Sequence, residues 1–387
     1  MKKILVVVVA LASMNAFATR ARVNALGNSP HLMDTQTVYG NPADMMMMPD
    51  FVTLESGNLG LLVTAPDCDP VTPGLQPCPV TQAQGTNAEA MVTRSMGDSK
   101  LALSLGHQSE NASGFGARRV INTFGLFPTR TFTNQQNPVE VSYGMKTADM
   151  AWGATLVYSN YNNKLTLAEK ESSAGVRLGM RMGALDAKLG LGLVNTYENA
   201  TDGKFKGTMG VSAAAGYSMD NLYAFGEIKM VGFKTETAAA VETSDISNQK
   251  ITLGALSSHK KDGNEFFYGA SLANETTKNK VGNEQKTTAM SLPIWMGMEV
   301  DAASWLTLRG SVKQTTFINS TKTENNTPAT TVDLAPGANT TEASVGAGLK
   351  WNKLTLDGSL TGLTGATAAQ NLDGNALLGQ VGVTYMF

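Results

Sequence analysis

Several groups of residues in this chain have types and spacings that could carry chemistry. Cys68 and Cys78, in "PDCDPVTPGLQPCP", are the only cysteines, and the nine residues between them include three prolines. In an oxidising compartment that spacing suits a loop disulfide, and a two-cysteine metal site is disfavoured because no histidine lies nearby. Met45 to Met48 read "MMMM". Thioethers can hold a soft metal such as copper, although flexible apolar packing is their more ordinary use. His31, His107 and His259 are scattered, with no nucleophile-and-base motif beside them. No enzyme chemistry, cofactor or metal site is therefore assigned. The last group is larger: Arg177, Arg181, Asp186, Lys188, Glu227, Lys229, Glu299, Arg309, Lys313, Lys350 and Asp357. Each stands on one parity of an alternating stretch, opposite apolar neighbours, so each belongs to a polar face. Seven are basic and four acidic.

The elements that must carry such a face are strands, because strand side chains alternate between two faces while helical ones repeat every 3.6 residues. In "AGVRLGMRMGALDAKLGLGLV", Val176, Leu178, Met180 and Met182 oppose Arg177, Gly179 and Arg181. After Gly183-Ala184 the pattern resumes, with Leu185 to Leu193 opposing Asp186, Lys188, Gly190 and Gly192. "WLTLRGSVK", "MSLPIWMGMEV" and "EASVGAGLKWNKLTLDGSL" repeat it. Sixteen strands are expected, at about 51–65, 86–96, 99–107, 138–147, 149–160, 172–183, 185–198, 206–219, 221–236, 247–259, 264–277, 284–300, 303–316, 341–351, 353–363 and 375–387. A change of apolar parity in the first requires a bulge near Gly57.

Connection lengths make the alternation specific. Short links such as Gly183-Ala184, Asp220-Asn221 and Asn352-Lys353 alternate with long polar ones such as Ile318 to Thr341. Short turns at one end and long loops at the other are the layout of a transmembrane β-barrel. Tyr143, Trp152, Tyr217, Tyr223, Trp305 and Trp351 cluster near the short turns, as an interfacial aromatic girdle would. Trp295, mid-strand on the polar parity, is the exception. The fold expected is thus an all-β transmembrane antiparallel barrel of about sixteen strands, fourteen being possible, with short periplasmic turns and long extracellular loops.

Composition agrees. Of 387 residues 39 are glycine, 16% are charged and 42% apolar, and no Lys/Arg cluster suggests nucleic-acid binding. "MKKILVVVVALASMNAFA" reads as a secretory signal peptide cleaved after Ala18, since its apolar run is too short to span a membrane. The expected division is signal peptide 1–18, an N-terminal periplasmic or plug-like segment 19–50, and barrel 51–387.

The last residues, "LLGQVGVTYMF", resemble the C-terminal signature of bacterial outer-membrane proteins, with terminal Phe387 and Tyr385 two residues earlier. That resemblance implies recognition by the barrel-assembly machinery and residence among lipid and lipopolysaccharide of the Gram-negative outer membrane. In strand count and turn layout Phe51 to Phe387 resembles the general porins, which implies diffusion of small hydrophilic solutes and, as is usual there, a homotrimer. A second, local resemblance lies in "DTQTVYGNPADM", above all Asn41-Pro42-Ala43, which is similar to the N-terminal segment of the long-chain fatty-acid transporter family. There the segment forms a plug and the barrel has fourteen strands, a count reached here by merging strands around 86–107.

Inward charges suit a water-filled lumen, because lipid-facing charge costs about 2–4 kcal/mol at the midplane. Their basic excess would mildly favour anions. Equally, they could pair across the lumen and hold barrel shape. "SENASGFGARRVINTFGLFPTR", with Arg118, Arg119 and Arg130, is the candidate constriction loop; a solvated surface loop is the alternative. Three functions remain: a diffusion porin, a plugged transporter of hydrophobic solutes, and a barrel acting through its surface loops.

Overall fold

The computed structural model describes residues 19–57, 87–107, 137–164, 168–199, 203–237, 239, 241–280, 285–318, 321–325, 332–334, 340–364 and 378–387. The signal peptide, both cysteines, Arg118, Arg119 and Arg130 lie outside these residues.

The strands are β1 (Phe51–Gly57), β2 (Asn87–Met96), β3 (Ser99–Leu105), β4 (Val139–Lys146), β5 (Met150–Asn163), β6 (Glu169–Met182), β7 (Leu185–Asn199), β8 (Gly203–Gly207), β9 (Gly210–Met219) and β10 (Leu222–Glu236). They continue with β11 (Glu242–Lys261), β12 (Asn264–Asn279), β13 (Gln285–Ala303), β14 (Leu306–Phe317), β15 (Thr321–Asn325), β16 (Val332–Leu334), β17 (Thr340–Trp351), β18 (Leu354–Thr364) and β19 (Leu378–Met386). β8 and β9 are two parts of one wall strand, since both lie between β7 and β10. β15 and β16 form a hairpin that pairs along the far end of β13. The wall is therefore a closed antiparallel barrel of sixteen strands.

Closure answers why the chain runs a strand to its last residues. β1 pairs with β19 from Phe51 opposite Met386 to Gly57 opposite Gln380, and the Phe387 N–H donates to the Asp50 carbonyl. Among the described residues the first and last strands thus cover each other's edges, which matters in lipid because unpaired backbone groups there are prohibitively costly. The short turns obey the same economy. Asp220 and Asn352 take φ of 49° and 56°, the left-handed region that tight hairpins demand and Asp and Asn tolerate.

Face assignment follows from burial. Leu54, Leu156, Leu253 and Val345 are each about 60% exposed, and with Leu103, Val141, Leu178, Met296 and Val381 they make an apolar outer wall. The opposite parity carries Thr53, Glu55, Glu89, Arg177, Glu265, Arg309 and Asp357, all buried inside. Apolar residues outside and polar ones inside is the reverse of a soluble barrel and is what lipid selects.

Two details depart from expectation. Between Ile318 and Thr341, expected to be a plain link, the chain contains the β15–β16 hairpin. Tyr223 does not join the girdle. It is inward and buried, its hydroxyl donating to Asp186 at 3.0 Å, whereas Tyr143, Tyr217, Trp305 and Trp351 do face outward.

Candidate functional site in the barrel lumen

Residues 19–48 lie inside the barrel, at its short-turn end. They form helix α1 (Arg20–Ala25) and two 3-10 turns, Thr35–Tyr39 and Pro42–Met47. Local sequence explains the turns. Asp34 caps the first, its N–H donating to Thr37 Oγ1 at 3.1 Å. Asn41 caps the second, its Oδ1 accepting from the Ala43 N–H at 3.2 Å with Pro42 at the first position, where a missing N–H is harmless.

Glycines in the wall receive these turns. A Cβ on Gly153 would stand 2.6 Å from the Pro42 carbonyl carbon, and one on Gly144 would stand 2.6 Å from Met45 Cε. One on Gly179 would overlap Asn41 Oδ1. The Asn41-Pro42-Ala43 tripeptide thus sits in a groove that only glycine leaves open. On the other side Ala25 of α1 packs on Gly346, and Thr19 packs on Gly382.

Charge complementarity fixes the segment further. Glu55 of β1 and Glu89 of β2 stand directly opposite one another, and like charges so placed repel. Arg20 spans them, its backbone N–H donating to Glu55 at 2.8 Å and its guanidinium to Glu89 at 2.7 Å. The Gln36 amide donates to both, at 2.7 and 2.8 Å. Glu265 and Glu299, opposite on β12 and β13, repeat the arrangement. His31 Nε2 lies 2.8 Å from Glu265, while Arg22 makes two bonds to Glu299, at 2.7 and 3.0 Å, and one to Asp34 at 2.9 Å.

Burial pushes the Asp34 carboxyl up to about 7, Arg22 working against this, and raises Asp44 likewise against the pull of Arg181 and Thr37. Burial also opposes the Arg22 charge, yet Glu299 and Asp34 together hold it more firmly protonated than a free arginine.

Two apolar clusters complete the seat. Val38, Tyr39, Met45 and Met48 pack with Phe51, Met91, Ala102 and Met386, so the methionine run serves packing at the barrel base. Leu26 and Leu32 pack with Tyr223, Leu256, Phe267 and Trp295. Trp295 is inward because its indole N–H donates to Ser29 Oγ at 3.2 Å.

The residues expected to line a pore divide into two groups. Arg177 makes two bonds to Glu140, at 2.6 and 2.9 Å, and Glu140 also meets His107 Nδ1 at 2.7 Å. His107 is in turn stacked on Tyr39 at 3.6 Å. Arg181 pairs with Asp44; Asp186 accepts from Tyr223; Lys188 Nζ faces Gly40. Arg309 joins Glu299 at 2.6 Å to Asp357 at 2.5 Å, and Lys350 bonds Asp301 at 2.9 Å beside the short turns. These charges hold the wall and the N-terminal segment together.

Glu227, Lys229 and Lys313 are different. They stand above the segment on the inner wall, Lys229 being 3.1 Å from Glu227, and Lys313 lying opposite Trp295 on one side and Glu342 on the other. Sequence reasoning did not single out Glu55, Glu89, Glu140 or Glu265, although each shares the inward parity. Nor did it single out Arg20, Arg22, Asp34 and Asp44, whose partners are remote in the chain. A cavity of about 390 Å³ lies elsewhere, at the far ends of β5–β8 and β10, lined by Lys170, Glu198, Lys204, Lys206, Lys234 and Glu236 among others.

No protein-family model and no curated protein matches the sequence. Solved structures similar to the chain include several of low identity. OmpT of Vibrio cholerae shows 10% identity over 87% of this chain and 95% of its own, with a TM-score of 0.39. A monoaromatic hydrocarbon channel, CymD, shows 9% over 95% and 97%, TM-score 0.41. A porin shows 10% over 87% and 99%, TM-score 0.36.

Proposed function

We propose that the protein is a Gram-negative outer-membrane channel for small hydrophilic solutes and ions whose N-terminal segment is its gate. It is exported by its signal peptide, inserted by the barrel-assembly machinery and bounded by lipid and lipopolysaccharide. The observation that carries this reading is the reach of residues 19–48. They touch the inner face of β17, β18, β19 and β14 through α1, of β3 to β6 through the second 3-10 turn, and of β10 to β13 through Leu26 and Leu32. Arg20 adds β1 and β2. A segment so placed stands across the path between the two membrane faces. The wall beyond it is polar, which suits hydrated solutes. Its charged contacts are ones that water can replace, so displacement need not unfold the barrel.

A second reading, passage of hydrophobic solutes, draws support from the aromatic floor of Phe225, Phe267 and Trp295 beside the segment. Conductance separates the readings. Folded protein in a planar bilayer should give rare or small steps, and a variant lacking residues 19–48 large steady ones. Large, equal steps from both would remove the gate. Silence from both, with folded barrels, would remove the channel.

A further inference from the structure

The inner wall carries a third like-charged pair, and nothing from the N-terminal segment answers it. Lys229 of β10 stands directly opposite Lys250 of β11. Both share the parity of buried Tyr223, Phe233, Ile246 and Leu256, so both point into the lumen. Their outward neighbours Met230, Ile251 and Leu253 are exposed apolar residues, which puts the pair at the depth of the lipid. Directly opposed side chains have Cβ atoms about 5 Å apart, and two ammonium groups so held destabilise the sheet.

The acidic pairs Glu55–Glu89 and Glu265–Glu299 face the same difficulty and are relieved by Arg20, Gln36, His31 and Arg22. Lys229 and Lys250 instead keep one acidic neighbour each, Glu227 at 3.1 Å and Glu275 at 3.6 Å, both on the flanks of the pair. Glu275 is also shared with Asn248, which donates to it at 2.9 Å. The two lysine side chains remain 35% and 43% exposed to the lumen, so the space between them is reachable from solution.

We propose that Lys229 and Lys250 form a lumenal subsite for a small oxyanion, a carboxylate or phosphate group carried by a passing solute. Each ammonium donates to one oxygen of the anion, which takes the bridging place that Arg20 takes between Glu55 and Glu89. Ser212 of β9, opposite Lys229, borders the subsite. The inference rests on reading the lumen as a solute path, and it names the charge of the solutes that linger there.

The test is calorimetric titration of the folded full-length protein, at low ionic strength, with acetate and separately with inorganic phosphate. The variants are Lys229→Met, Lys250→Met, both together, and Lys353→Met as a control in the exposed Asn352-Lys353 turn. Heat-modifiable gel migration shows that each barrel is folded, and Lys229→Arg supplies a charge-retaining variant if Lys229→Met is not. At least one anion should bind the wild type, about tenfold more weakly in each single variant and undetectably in the double, with the Lys353 variant unchanged. Acetate alone binding identifies a carboxylate site; both anions binding identifies a general oxyanion site. No binding to the wild type, or equal binding to the double variant, overturns the proposal. Sugar flux through liposomes containing the variant lacking residues 19–48 judges the channel separately. Flux without anion binding removes the subsite alone, and anion binding without flux in any variant removes the path.

Discussion

The acidic pairs on β1–β2 and β12–β13 and the basic pair on β10–β11 are the same structural motif with opposite outcomes. Where the wall is acidic, the N-terminal segment brings Arg20, Arg22 and His31, and the charges become buried contacts. At Lys229 and Lys250 the segment stays away, and the half-exposed lysines keep only Glu227 and Glu275 beside them. The lesson is that the barrel wall is electrostatically incomplete near its short turns without residues 19–48, and is left open to outside ligands farther along. One region is built for a segment of the chain itself, the other for a passing ligand.

The sharpest way to break that comparison is steric. Replacing both Gly153 and Gly179 by valine fills the groove under Asn41-Pro42-Ala43 while suiting the strands that carry it. The segment should leave the lumen, conductance should rise to that of the variant lacking residues 19–48, and trypsin should reach Arg20 and Arg22. Unchanged conductance would show that the seat is not held by this groove.

A smaller effect is expected from Arg22→Met, which strips Asp34 of its cation while Glu299 keeps Arg309. Removing one partner of a buried pair costs roughly 3–5 kcal/mol. Release of the segment, followed by trypsin cleavage at Arg20, should therefore occur at lower denaturant concentration while the barrel itself melts as before.

The pH dependence of seating has a definite sign. Burial lifts Asp34 to about 7 in the seated segment from the ordinary 3.8, so seating takes up a proton between these values. The contribution is fully present below about pH 4 and is lost as pH rises through about 7, and Asp44 acts in the same direction. Open probability should increase from pH 4 to pH 8, and Asp34→Asn should flatten most of the rise. A fall over that interval would mean that other groups control seating.

Least in size is the change expected from Glu275→Gln, which removes the nearer acid from Lys250. Exposed pairs of this kind are worth about 0.2–1 kcal/mol, so anion affinity should improve by at most about fivefold. No gain would place the anion away from Lys250.

Much of this molecule is legible in the chain as a string. Alternation in "AGVRLGMRM" locates β6 to within a few residues and turns Arg177 and Arg181 inward, because a strand has only two faces and lipid accepts only one kind. The link lengths order the hairpins, and the terminal Phe387 pattern marks the closing strand. Tyr223 was misplaced by the same logic, since proximity to a short turn does not say on which side an aromatic ring lies. The β15–β16 hairpin was missed because it extends the place of β14 along the far end of β13, where the demand for alternation has lapsed.

What residues 19–48 do is the part that string reading leaves open. Asn41-Pro42-Ala43 hints at a plug, and its capping geometry is local. Its seat, however, is made of Gly144, Gly153 and Gly179 from three different strands, each of which by itself reads as an ordinary small residue in an alternating pattern.

Sequence by itself therefore determined the strands, their faces and their order, because each follows from neighbours two residues apart and from turn length. Only the tertiary structure decided which inward charges meet the N-terminal segment and which meet only neighbours on the wall. Arg20 meets Glu89, and Arg22 meets Glu299, across separations of 69 and 277 residues. Closing the barrel converts such separations into a few ångströms, and no periodicity along the chain records them.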